Sequence, residues 1–263
     1  MKNIIFLTLA VILTVILFSC KSDNVTNSTG INSPDTSGFV YPFAIGNSWS
    51  YTTKEYASDI HPDSILHYFS NYPITWTGTV TILYDTLINN IQTRCFLEVL
   101  TVAQSIRQSR TYMINNDTAL LMYAQRSMAT LIIPDVKSGK IKFNLDYGPG
   151  DDTLRIYNPP YVMLKYPVVT GKTWSVYRTD TLTKKYEGYE QITVGAGSFR
   201  CMKIKTIFST LPESPFYDYY CKYGLLKRTV TYNDMLITNQ WFPEGIGTAD
   251  LTFTTTANSF NVR

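Results

Sequence analysis

The chain has 263 residues, a formal net charge of +3, four cysteines and two histidines. Hydrophobic residues make up 44% and charged residues 16%, too little charge for a coiled coil or a disordered chain. A net +3 lacks the concentrated basic excess of a nucleic-acid binder, and two histidines leave little for His-based catalysis or a His-rich metal site.

The first twenty residues set the compartment. Lys2 supplies a positive start, and Ile4 to Phe18 is an uncharged, almost wholly apolar run. That suits a signal-peptide core and falls short of the about 20 residues of a transmembrane helix. The run ends in Leu17-Phe18-Ser19-Cys20. This resembles the lipobox of bacterial lipoprotein signals: an aliphatic residue, a tolerant position, a small residue, then Cys. The resemblance implies that residues 1–19 are removed and that Cys20 carries the acyl chains. Each buried methylene contributes about 0.8 kcal/mol, so two or three chains anchor a protein stably to a membrane. Lys21, not Asp, follows the Cys. By resemblance to lipoprotein sorting this argues against inner-membrane retention, so the expectation is a lipid-anchored protein of the outer membrane.

Residues 20–38 are rich in Ser, Thr, Asn, Asp, Gly and Pro, with Val25 and Ile31 the aliphatic residues. Such a stretch cannot bury enough apolar area to offset its ordering entropy. It reads as a flexible tether with a mean reach of roughly 25 Å.

From residue 39 to residue 263 the signal is period-two alternation. Ile74, Trp76, Val80, Ile82 and Tyr84 share one strand face, with Thr75, Thr77, Thr79 and Thr81 opposite. Ile91, Cys95, Leu97 and Val99 alternate with Gln92, Arg94 and Glu98. Ile141, Phe143, Leu145 and Tyr147 alternate with polar residues, as do Met202 and Ile204 with Lys203 and Lys205. Strands with one apolar and one polar face are antiparallel in habit. Asn89-Asn90, Gly148-Pro149-Gly150 and Gly195-Ala196-Gly197 supply turn chemistry, and Asn158-Pro159-Pro160 blocks helix and ladder. Thr118 to Leu131 is the best helix candidate, with strand the alternative. The expected class is all-β: an antiparallel meander of a dozen or more strands, forming an open barrel or a strongly curved sheet.

The chain also echoes itself. Tyr41-Pro42-Phe43-Ala44-Ile45-Gly46-Asn47-Ser48-Trp49-Ser50 matches Tyr166-Pro167-Val168-Val169-Thr170-Gly171-Lys172-Thr173-Trp174-Ser175 in Tyr, Pro, Gly, Trp and Ser. Each copy precedes a strand, a turn, an Arg-Cys pair (Arg94-Cys95, Arg200-Cys201) and a Leu-Leu step (Leu120-Leu121, Leu225-Leu226). The expectation is an internal duplication, with halves at about 41–147 and 161–263. In each copy Pro fixes entry, Gly permits a sharp turn, and Trp opens a strand as a plug for one end of the core. The alternative is that the two Trp rings form a stacking platform for a sugar.

These residues carry a further likeness. The opening at 41–51, the hairpin Val194-Gly195-Ala196-Gly197-Ser198-Phe199-Arg200-Cys201 and the late stretch 219–228 resemble a family of uncharacterised bacterial outer-membrane lipoproteins. The family's hairpin has Pro where Gly195 stands. The resemblance implies an envelope β domain and carries over no activity.

There is no Gly-x-Ser-x-Gly and no phosphate-cradling Gly-rich loop. His61 and His67, with Asp59 and Asp63, read as a polar loop before a metal site. Asp146, Asp151 and Asp152 flank a turn, where Asp is favoured without calcium. Glu98, Glu187, Glu190 and Glu213 read as solvated strand faces or turns. No catalytic residue, cofactor or metal is therefore expected. With Cys20 acylated, Cys95 fills core as a small hydrophobe. Cys201 and Cys221, on consecutive strands, form the candidate disulfide. Asp-Ser/Thr-aliphatic recurs at residues 63–65, 85–87, 117–119, 152–154 and 180–182, and looks like the O-glycosylation acceptor of one bacterial phylum. The functional expectation is a non-enzymatic envelope module for an apolar ligand or a partner protein. Surface carbohydrate capture and a hydrolase built on carboxylates are the alternatives.

Overall fold

The computed structural model describes residues 38–102, 105–127, 132–135, 140–144, 153–177, 182–209, 211–239, 241–242 and 244–263. The signal, Cys20, the tether up to residue 37 and the turn at 145–152 with its three aspartates lie outside the described residues. The folded unit runs from Ser37 to Arg263.

Among the described residues fourteen strands form one sheet. In the first half these are β1 (Ser48–His61), β2 (Ile74–Ile88), β3 (Ile91–Val102), β4 (Ser105–Asn115), β5 (Ala119–Ser127), β6 (Ile132–Asp135), β7 (Lys140–Asn144) and β8 (Leu154–Lys165). In the second half they are β9 (Thr173–Ser175), β10 (Leu182–Val194), β11 (Gly197–Phe208), β12 (Leu211–Cys221), β13 (Gly224–Thr238) and β14 (Gly247–Asn261). Of the stretch named as the best helix candidate, Ala119–Ser127 is strand β5, the alternative reading, with Leu120 and Ala124 buried and Met122 packed on the main core; residues 128–131 lie outside the described residues.

The main path runs β8-β5-β4-β3-β2-β1-β14-β13-β12-β11-β10-β9. It is an antiparallel meander that curls into a nearly closed barrel. β6 and β7 lie off this path, and β7 pairs in parallel with β13. The chain's first and last strands pair from Ser48↔Asn261 to His61↔Thr248. The other seam, between the path's ends, is thinner. Val162 N–H donates to Val176 O at 2.9 Å, and Trp174 Nε1 donates to Val162 O at 3.0 Å. The Tyr186 hydroxyl bridges the gap further, donating to Lys165 O at 2.9 Å and accepting from Lys165 N–H at 3.0 Å.

The two Tyr-Pro copies adopt the same local structure. Gly46 and Gly171 have φ of 89° and 85°, a left-handed conformation that suits glycine. Gly46 N–H donates to Ile82 O, Asn47 N–H to Ala44 O, and Ile82 N–H to Asn47 O. Gly171, Lys172, Val169 and Tyr186 repeat the set: Gly171 N–H to Tyr186 O, Lys172 N–H to Val169 O, Tyr186 N–H to Lys172 O. The Trp that follows each copy is buried, Trp49 at 1% and Trp174 at 5% exposure. Both are plugs. Rings this enclosed cannot serve as a sugar platform.

Alternation locates the core where strands are regular and fails at bulges. Trp76 and Ile82 of β2 are buried, but the register shifts between Ile82 and Tyr84, and Tyr84 turns outward at 44% exposure. On β3 the expected inner face is reversed for its apolar run: Phe96 belongs to the main core, and Ile91 is exposed at 42%. Cys95 is nonetheless fully buried. Asn158-Pro159-Pro160 falls inside β8, where the ladder to β5 jumps from Tyr161↔Met122 to Ile156↔Ala124. The prolines interrupt pairing without ending the strand. Asn89 and Asn90 take φ of 50° and 62°, as a two-residue hairpin turn requires.

Two apolar clusters close the barrel. One surrounds Trp49, Ile82, Leu164, Tyr186, Met202 and Leu226 near the Tyr-Pro loops. The other gathers Val230, Met235, Ile237 and Leu251 under a short 3-10 helix, Asp63–Phe69, which contributes Ile65 and Phe69.

Candidate ligand cavity

Inward-facing residues of the first half leave space that those of the second half fill. The result is a cavity of about 430 Å³, within the range of small-molecule pockets. Its rings are Tyr41, Tyr51, Trp76, Phe96, Tyr220 and Phe253. Met113, Met122, Met163, Leu100, Leu120 and Leu225 add soft apolar wall. Threonines 53, 111 and 255 add polar side chains, Thr79 borders the space from β2, and Glu98 and Arg228 are the charged residues of the lining among the described residues.

Register explains why the space lies there. Trp49 pairs with Val80, and Trp174 pairs with Lys184. Ile82 pairs with Phe96, and Tyr186 with Ile204. One strand on, Phe96 pairs with Thr111 and Ile204 with Asp218. One strand further, Thr111 pairs with Gln125 and Asp218 with Arg228. Val80, Thr111 and Gln125 in the first half thus occupy the places of Lys184, Asp218 and Arg228 in the second. The first set is neutral and lines the cavity; the second is charged and mutually paired. The two Arg-Cys pairs do not occupy equivalent places, since this register matches Arg94 with Met202. The longer β10–β11 hairpin absorbs the offset. Its tip turns onto β14, where Ala196 N–H donates to Ala257 O at 3.0 Å.

The charged set is an ion triad inside the barrel. Arg228 grips Asp218 in a fork, Nε to Oδ1 at 2.6 Å and Nη2 to Oδ2 at 3.1 Å. Lys184 Nζ stands 3.8 Å from Asp218 Oδ2 and donates to Met163 O at 3.3 Å. Burial pushes the Asp218 carboxyl up, but Arg228 and Lys184 together overcome it and hold the group below its ordinary value. Asp218 raises the Arg228 guanidinium against the opposing effect of burial. For Lys184 burial wins, and its ammonium is lowered despite Asp218. Asp218 and Lys184 are almost wholly enclosed, whereas the Arg228 side chain is 40% exposed because it faces the cavity.

Glu98 was read as a solvated strand face. It points inward instead, and Ser109 Oγ donates to its Oε2 at 3.0 Å. Glu187 and Glu190 do flank a half-buried lysine, Lys203, at 4.0 and 3.0 Å. The Glu213 side chain lies outside the described residues. A second carboxyl escaped the sequence reading. Glu55 of β1 is fully buried; its Oε1 accepts from the Tyr72 hydroxyl at 2.9 Å and its Oε2 has no partner among the described residues. Burial pushes it up to about 7, and the Tyr72 hydrogen bond opposes this in part.

The remaining sequence candidates separate. His61 Nε2 meets Asp59 Oδ1 at 3.0 Å, but His67 turns back to Ser64 O at 2.8 Å. Asp59 instead approaches Asp234 and Asp250, with ligand oxygens within 4.8 Å of one another. Asp250 Oδ1 there accepts from Asp234 N–H at 2.8 Å, so one of these carboxylates already satisfies backbone. Cys201 and Cys221 stand opposite each other by the register Met202↔Tyr220, as free buried thiols. Their contact raises the Cys201 thiol, with burial adding to it, and lowers the Cys221 thiol against the effect of burial. Of the glycosylation-like triplets, Ser64, Thr118 and Thr153 are exposed and Thr86 is half-buried.

No protein-family model matches the chain, and no curated protein matches it. Two solved structures are similar at low identity. One, described as "a putative lipoprotein" from Parabacteroides distasonis ATCC 8503, is 16% identical with a TM-score of 0.36, over 86% of this chain and 99% of that one. The other, an exported protein described as having a YmcC-like fold, from Bacteroides fragilis NCTC 9343, is 12% identical with a TM-score of 0.33, over 85% of this chain and 99% of that one.

Proposed function

We propose that this protein is an envelope lipoprotein, held at the outer membrane by acylated Cys20, whose barrel binds an apolar ligand without transforming it. The observation that carries the binding role is the aromatic- and methionine-walled cavity of about 430 Å³ inside the barrel. Walls of this kind, with a few polar groups among them, are those of small-molecule sites. The anchor rests on the lipobox at residues 17–20 and on the tether that follows. The shared loop hydrogen bonds and matching strand registers support a duplicated ancestral half.

Two measurements test this. Cells fed an alkyne-tagged fatty acid should label the full chain at Cys20, and C20A should lose the label and the membrane fraction. Label persisting in C20A would overturn the anchor. The mature chain carrying C20S, with tether and barrel entire, should displace an apolar fluorophore from solution into its cavity. Absence of any bound fluorophore would overturn the binding role.

The facing pair Cys201 and Cys221 is assigned a disulfide in the oxidising envelope. A protein disulfide donor accepts both electrons and both thiol protons as the S–S bond forms. Alkylation of the unfolded, unreduced mature chain should then modify Cys95 and leave Cys201 and Cys221 unlabelled.

A further inference from the structure

The charges around the cavity select among apolar ligands. Two groups offer unused hydrogen-bonding capacity to its interior. Arg228 commits Nε and Nη2 to Asp218, which leaves Nη1 without a partner among the described residues. Glu98 commits Oε2 to Ser109, which leaves Oε1 free in the same sense. One is a strong donor and the other a strong acceptor; they line the same cavity from β13 and β3, and Glu98 is near enough to help raise the Arg228 guanidinium.

At formal charges Lys184 and Arg228 balance Asp218 and Glu98. A ligand charge of either sign would stand uncompensated inside the barrel, and an unpaired enclosed charge is heavily penalised. Burial lowers the Lys184 ammonium. Loss of that proton would make the balance more negative, which excludes an anion further and favours a cation, so exclusion of a cation holds where Lys184 keeps its proton beside Asp218. Asp218 also already occupies the Nε–Nη2 face of Arg228, one of the two on which a carboxylate or phosphate could fork, and offsets its charge.

We infer that the ligand is an electrically neutral amphiphile: an apolar chain against the ring and methionine walls, and an uncharged head that accepts from Arg228 Nη1 and donates to Glu98 Oε1. A hydroxyl or glyceryl-ester head meets both demands. This rests on the binding role proposed above and adds the class of ligand.

Three ligands of one chain length distinguish the classes: glycerol monolaurate, laurate and dodecylamine. Each would compete at pH 8, below its aggregation threshold, for a fluorophore bound to the mature chain with C20S. Glycerol monolaurate is expected to bind at least ten-fold more tightly than either charged ligand. In E98Q, which keeps size and hydrogen bonding but removes the negative charge, the deficit of laurate should shrink to less than three-fold. Laurate or dodecylamine binding as tightly as the ester would overturn the neutral-head assignment and leave the cavity role standing. An unchanged laurate deficit in E98Q would overturn the charge-balance argument. If the folded protein bound none of the three, both the assignment and the binding role would fall.

Discussion

The two halves of the barrel use the same frame for opposite ends. Each begins with a Tyr-Pro loop, plants a buried Trp and meanders through matching strands. At three matched inward positions the first half has Val80, Thr111 and Gln125, where the second has Lys184, Asp218 and Arg228. Neutral side chains there can stand apart and leave volume. Charged ones enclosed in a barrel must touch one another, because a single buried charge is far costlier than a pair. The second half is therefore packed by electrostatic necessity, and the first is free to be hollow.

The largest expected effect comes from breaking that pairing. D218T, which puts the first-half residue in place, leaves Lys184 and Arg228 without their anion. It should cost about 3–5 kcal/mol of stability, read from urea unfolding. The triple change K184V, D218T and R228Q should be less damaging than D218T alone. If it is worse, charge pairing is not what governs the packing of the second half.

Next is the pH response of Glu55, which lies on β1 between the halves' shared seam and β2. Burial raises it from 4.5 to about 7, with Tyr72 opposing. The folded state thus keeps its proton where the unfolded chain has lost it. Stability conferred below about pH 4.5 is lost as the pH rises through about 7, then levels off. The loss is about 3 kcal/mol at order of magnitude. E55Q should flatten that slope and exceed the wild type in urea midpoint at pH 8, with the two converging near pH 5. Parallel pH profiles for the two proteins would refute it.

A smaller effect tests the first plug. Gly224 has φ of 98°, and a Cβ there would meet Trp49 Nε1 at 2.9 Å. Trp49 Nε1 also donates to Tyr223 O at 2.6 Å, so the ring cannot retreat without losing that bond. G224A should cost about 2 kcal/mol in chemical denaturation.

The smallest change in stability should accompany a large change in binding. T111L places apolar volume on the hollow side, and is expected to alter stability by less than about 1.5 kcal/mol. Fluorophore affinity should fall at least ten-fold. Unchanged affinity would mean that the fluorophore binds elsewhere.

Much of this was legible in the residues themselves. Alternation identified β2 up to Ile82 and β11 at Met202 and Ile204, and the Asn89-Asn90 turn followed from its side chains. The buried role of Trp49 and Trp174 was readable from the Pro-Gly-Trp spacing. Glu98 was misread because alternation marks two faces and does not say which is inside; on β3 the apolar-looking face is not the one toward the cavity. Glu55 was missed because a lone Glu in a Thr- and Tyr-rich strand resembles any solvated position.

The amino-acid order alone thus determined the class of the fold, its turns and its two plugs, because backbone preferences and side-chain alternation act over a few residues. Only the tertiary structure decided the cavity and the ion triad. Lys184, Asp218 and Arg228 stand on three different strands, and the bulge between Tyr186 and Gly188 lies along the register that aligns them. Charge attraction and cavity volume depend on distances through space, and those exist only after bulges and hairpin lengths have set every strand's register around the nearly closed barrel.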